Sequence, residues 1–185
     1  TVERPDTHES LSLAVTWPGS GGRHFAYSSK QLALPARGVL TVNGAQRPLD
    51  GALATLDWGR GVWPHRTRWN WASATGLLDG KTAALNLGAQ WTTNGGATEN
   101  GLLIGGRLTK LAGDVAFEWR PSAPKAPWRI HGEQVELTVT PHFVEDVRVP
   151  GVGRLCLVTG RLDGTAAGHT LQGFFGGAEE LAVRW

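Results

Sequence analysis

Apolar residues in this 185-residue chain alternate with polar ones in short runs, and no helix-length stretch carries the 3.6-residue period of an amphipathic helix. From Ala83 to Trp91, Leu85, Leu87, Ala89 and Trp91 take one face and Asn86, Gly88 and Gln90 the other. Ser10 to Trp17 repeats the pattern with Leu11, Leu13, Val15 and Trp17. A strand places successive side chains on opposite faces, so these runs predict half-buried strands. Further runs are Phe25 to Leu34, Val39 to Val42, Leu102 to Ile104, Arg107 to Leu111, Val115 to Trp119, Val135 to Val139, Phe143 to Val149, Arg154 to Leu162 and Leu171 to Phe175. Glycine, with 26 residues, punctuates them; Asn43-Gly44 and Gly105-Gly106 predict tight hairpins, and Thr92 to Gly96 and Gly19 to Gly22 predict a loop and a turn. Only Ala45 to Ala54 and Ala72 to Leu77 are candidates for a short helical turn. The expected class is all-β, a barrel or sandwich of about ten strands.

The length suits one compact domain over 1–185, long enough to bury a core without staples. Pro121 to Pro127 reads as a stiff connector between strands. Eighteen basic residues against 16 acidic ones leave a net charge of +2, which argues against a broad nucleic-acid or acidic-membrane surface. One cysteine, Cys156, sits in an apolar run and reads as a buried thiol. No stretch approaches a membrane span and no basic-then-apolar leader opens the sequence, so a soluble, cytoplasmic protein is the expectation. No His or Cys spacing resembles a zinc site, no phosphate loop precedes a helix and no nucleophile elbow exists, so neither metal nor cofactor is expected.

The densest chemistry lies between Asp57 and Trp71, where four tryptophans, three arginines, a histidine and an aspartate share fifteen residues. Tryptophan supplies rigid apolar surface, whereas Arg and Asp resist burial unless paired, so the mixture predicts a partly dry pocket holding fixed charges. Alternation places Asp57 and Gly59 on one face and Trp58 and Arg60 on the other. It also groups Trp63, His65, Thr67, Trp69 and Trp71 as a cavity wall, with Arg66 and Arg68 opposite. Glu99 and Asn100 follow a glycine-rich loop, where barrel mouths draw functional groups. Of the adjacent Glu179 and Glu180, only one can face inward. Lys30 and Lys110 read as isolated, with no Schiff-base context. These residues predict Asp57, His65 and Glu99 as catalytic, with Arg60, Trp63, Arg66, Trp69, Trp71, Gln90, Asn100 and Glu179 binding a small-molecule ligand. An ion pair from Asp57 to Arg66 or Arg68 is the bland reading.

Several of these strings resemble the domain-of-unknown-function family 2804: Asp57 to Gly61, Trp63 to Trp71, Leu85 to Trp91, Thr98 to Gly101, Gly106 to Lys110 and Ala178-Glu179-Glu180, with His8-Glu9-Ser10, Ser29-Lys30-Gln31 and Leu34 to Gly38 upstream. The resemblance implies a remote kinship to lipocalin-like two-barrel proteins such as carotenoid hydratases and tocopherol cyclases. It thus implies a lipocalin-like antiparallel β-barrel, this chain being the C-terminal part of a longer architecture. Leu181 stands where the resemblance leads one to expect a histidine after the paired glutamates. Three functions follow. The first is a metal-free acid–base enzyme performing hydration, cyclisation or isomerisation on a partly apolar small molecule; the others are a non-catalytic carrier and a glycan-active enzyme using paired carboxylates.

Overall fold

The computed structural model describes residues 1–16, 21, 23–92 and 97–184. Trp17, most of the turn at 19–22 and the loop at 93–96 lie outside the described residues. The described residues contain fourteen strands and no helix, so the all-β expectation holds. None of their segments is a helix long and apolar enough to cross a membrane.

Nine strands form one antiparallel sheet. In chain order they are β6 (Arg66–Leu78), β7 (Lys81–Ala89), β8 (Gly101–Ile104), β9 (Arg107–Lys110), β10 (Val115–Glu118), β11 (Trp128–Gly132), β12 (Val135–Val149), β13 (Gly153–Ala166) and β14 (His169–Arg184). Their order across the sheet, β10-β11-β12-β13-β14-β6-β7-β8-β9, joins two meanders through the β14–β6 pairing. The sheet curls into a half-barrel whose concave face is filled by Trp128, Phe174, Leu85, Leu137, Leu162 and their neighbours. The Phe174 ring lies over Gly76 on the neighbouring strand, where a Cβ would stand 2.5 Å from it.

The other strands are β1 (Leu11–Thr16), β2 (Phe25–Ala36), β3 (Val39–Val42), β4 (Ala45–Pro48) and β5 (Ala52–Val62). β1, β2 and β5 form a second sheet, and β3–β4 is a separate hairpin turning at Asn43 (φ 49°) and Gly44 (φ 80°). Two positive φ values in succession are the type I′ geometry that Asn-Gly favours. The small sheet covers the convex face of the half-barrel, where Leu32 and Ala33 pack on Ala84 and Leu103, and Val15 and Ala26 on Trp91.

Three details differ from expectation. Both candidate helical turns are strand, since Ala45–Pro48 is β4 and Ala72 to Leu77 lies within β6. The runs at 135–139 and 143–149 are one strand, β12, bulged between Pro141 and Phe143 because proline cannot donate to the ladder. Trp128–Gly132 forms β11 directly after the Pro-rich connector, whose composition hid the inward pair Trp128 and Ile130.

Candidate functional site

Strands β2 and β5 pair across the β3–β4 hairpin, and their register sets Lys30 opposite Asp57. Lys30 is 6% exposed, with Nζ 2.5 Å from Asp57 Oδ2, 3.4 Å from Glu99 Oε2 and 5.4 Å from the Trp71 ring centre. A buried ammonium needs such partners, and here one carboxylate comes from β5 and the other from the segment that leads into β8. Lys30 was not isolated, as its sequence context suggested; the missing signal was the strand register.

Glu99 lies just before β8 and is 1% exposed. Its Oε1 accepts a hydrogen bond from Trp91 Nε1 at 2.8 Å, whereas its buried Oε2 accepts none, Lys30 standing at ion-pair range but outside hydrogen-bond geometry. The niche exists because residue 88 is glycine: a Cβ there would meet Glu99 Oε1 at 2.0 Å. Asn86 donates to the Glu99 carbonyl at 2.7 Å, and Asn100 Oδ1 accepts from the Gly88 amide at 2.8 Å. Lys110 donates to Thr98 Oγ1 and to the carbonyls of Thr98 and Asn100, clamping the segment on both sides of Glu99. Burial pushes the Glu99 carboxyl pKa up, against the opposing pull of Lys30 and the Trp91 N–H, with Asp57 adding to the rise. Burial also pulls the Lys110 ammonium down, with Glu99 opposing.

Above this charged floor stands a recess of about 140 Å³ between the two sheets, lined by Tyr27, Ser28, Gly59, Trp63, Trp69, Trp71, Trp91 and Glu179 as well as the three charged groups. The Trp63 ring stands 5.7 Å from Trp69 and 5.7 Å from Trp91, tilted 45° and 49°. Trp69 donates its indole N–H to Glu179 Oε1 at 2.8 Å and Trp71 to Asn86 Oδ1 at 2.9 Å. With Trp91 bound to Glu99, three indole N–H groups are committed to the protein, and these residues offer the recess mainly apolar ring surface.

The structure brings together Asp57, Glu99, Trp63, Trp69, Trp71 and Glu179. It does not bring His65 to them. β6 begins only at Arg66, so the alternation does not reach back through Pro64; His65 is exposed and accepts from Arg184 Nε at 3.2 Å. Arg60 and Arg66 are exposed and line no part of the recess, and Arg68 pairs with Glu180 at 3.1 Å instead of Asp57. Asn100 is fully buried and bonds backbone, to Gly88 and to the Gly113 carbonyl at 3.1 Å. Gln90 and Trp91 exchange places relative to the predicted alternation: Gln90 has φ 73°, β7 stops at Ala89, and the kink turns Trp91 into the recess while Gln90 donates to Asn70. Sequence reasoning missed Lys30, Tyr27, Ser28 and Trp91. Glu179 faces the recess and Glu180 the opposite side, where it accepts from Asn70 and Trp119.

The fold and site define an all-β protein with an indole-lined, charge-floored recess between a half-barrel and a covering sheet. Over residues 1–185 the chain matches the model of the family described as Domain of unknown function (DUF2804), and it belongs to that family. No curated protein matches it in sequence. Among solved structures it is similar to kievitone hydratase from Nectria haematococca, with a TM-score of 0.44 and 11% identity over 93% of this chain. The chain spans 58% of the length of that structure.

Proposed function

We propose that the recess is the active site of an acid–base enzyme that hydrates, cyclises or isomerises a partly apolar small molecule, with Glu99 moving the proton. The observation that carries this reading is the Glu99 carboxyl itself: buried, raised in pKa, and with Oε2 lacking a hydrogen bond beside a lined recess. A carboxyl poised towards neutrality is suited both to donate and to accept a proton at physiological pH. Lys30 takes the place of the arginines as the cation of the site. It holds the ionised form of Glu99 within reach and offers positive charge where negative charge develops on the ligand. Asp57, on the exposed β5, neutralises Lys30 from the solvent side. The indole walls exclude water and orient the apolar part of the substrate.

A carrier without turnover is the second reading, favoured by the closed Lys30–Asp57 ion pair, which resembles a structural contact. A glycan-active site fits less well. The Asp57 and Glu99 oxygens stand no more than about 6 Å apart, but the Lys30 ammonium occupies the place where an anomeric carbon would sit.

The test is incubation with a panel of amphiphilic alkenes, enones and alcohols in D₂O, read by mass spectrometry. Hydration adds solvent to the product and isomerisation leaves deuterium on carbon. Wild-type protein should turn over at least one member, and Glu99→Gln should lower that rate by about 100-fold or more. Equal turnover by the variant refutes the assignment of Glu99.

A further inference from the structure

The charges facing the recess are unequal. Among the described residues that line it, Asp57, Glu99 and Glu179 stand against one cation, Lys30; Lys110 acts on Glu99 from outside the recess, and Arg60, Arg66 and Arg68 are exposed elsewhere. Lys30 stands closer to Asp57 than to Glu99, so the acids of the lining outnumber the cation that serves them. Around them Trp63, Trp69 and Trp91 form a partial cage of tilted rings. Indole faces attract cations through the ring quadrupole, and in a water-poor site that attraction exceeds its value at a surface. The protein already makes such a contact here, with the Lys30 ammonium over the Trp71 ring.

We propose that the recess takes a small protonated amine with an apolar skeleton, its ammonium held between the indole cage, Glu99 and Glu179. The inference rests on the reading of this recess as a small-molecule site. The carboxylates of the lining select an ammonium bearing N–H over a quaternary one, because only the former donates to them. The committed N–H groups of Trp69, Trp71 and Trp91 select an apolar skeleton, because these walls have no further indole donor to give. A second cation beside Glu99 also favours its ionised form, adding to what Lys30 does.

Three probes of one skeleton separate charge from shape: phenethylammonium, 2-phenylethanol and phenylacetate, each titrated into the full chain at neutral pH and followed by calorimetry and tryptophan fluorescence. Phenethylammonium should bind at least about 10-fold more tightly than the alcohol, the advantage of an ion pair over a hydrogen bond from an uncharged donor. Phenylacetate should bind more weakly than either. Glu99→Gln and Glu179→Gln, both isosteric, should each remove most of the ammonium's advantage while weakening alcohol binding far less. Circular dichroism checks that both variants are folded. Equal binding of amine and alcohol, preference for phenylacetate, or no detectable amine binding overturns the proposal. The assay needs no turnover, so its outcome is separate from that of the Glu99 proton-transfer test.

Discussion

Gly88→Ala tests the geometry of the site most directly, because it adds one methyl group at the place where Glu99 is packed. The added Cβ would stand 2.0 Å from Glu99 Oε1, 2.4 Å from Cγ and 2.6 Å from Cδ. To reach ordinary van der Waals separation the carboxyl has to retreat by more than about 1 Å. That retreat breaks the 2.8 Å hydrogen bond from Trp91 and moves the charge relative to Lys30. Overpacking costs about 1–3 kcal/mol, and losing a hydrogen bond to a charged group costs a further ~1.5–3 kcal/mol. For a chain of this size each kcal/mol lowers Tm by about 2–4 °C, so a fall of roughly 5–24 °C is expected. The control is a double-mutant cycle with Glu99→Ala, which deletes all three clashing atoms. The double variant should be more stable than the sum of the single effects by about 1–3 kcal/mol. Thermal melts and urea titrations of the four proteins measure this. Additivity within about 0.5 kcal/mol, or a Gly88→Ala protein as stable as wild type, would show that Glu99 does not occupy this niche.

Two further outcomes follow from neighbouring contacts. Asn86→Ala leaves the Trp71 N–H and the Glu99 carbonyl without their partner, at about 1–3 kcal/mol for each buried group, and a Tm change of under 1 °C would contradict that pairing. Burial raises the Glu99 carboxyl above its ordinary 4.5, so the folded chain holds this proton more tightly than the unfolded chain. Its contribution to stability therefore falls as pH rises from 4.5 through the folded-state value and is level above it. Glu99→Gln lacks this fall. Urea midpoints at stepped pH should show wild type losing stability relative to the variant across that window, and a pH-independent difference would count against a raised carboxyl.

The legible parts of this protein were those governed by local alternation. Trp69 and Trp71, two positions apart, share a face of β6 and both reach the recess, and the same rule separates Glu179 from Glu180. Asn43-Gly44 and Gly105-Gly106 turn as hairpins because their backbones adopt positive φ, which those residues tolerate. Alternation misled at its boundaries. It was extended back through Pro64 to His65, outside the strand, and forward through Gln90 to Trp91, past a kink that reverses the faces. Lys30 was hidden for another reason. Its partners lie 27 and 69 positions away, one across a sheet that closes around an inserted hairpin and one across the gap between sheets, and no local pattern encodes either distance. Large apolar side chains fill one face of the nine-stranded sheet, and the recess lies on the other, a division that no local pattern announces.

Strand β6 carries two interleaved texts. Ala72 and Ala74 are written towards the half-barrel core and Trp69 and Trp71 towards the recess, from one backbone. Substitutions at the second set remove no side chain from the first, so, on the proposed reading, the walls of the recess can be rewritten while the alphabet that spells the half-barrel core stays fixed.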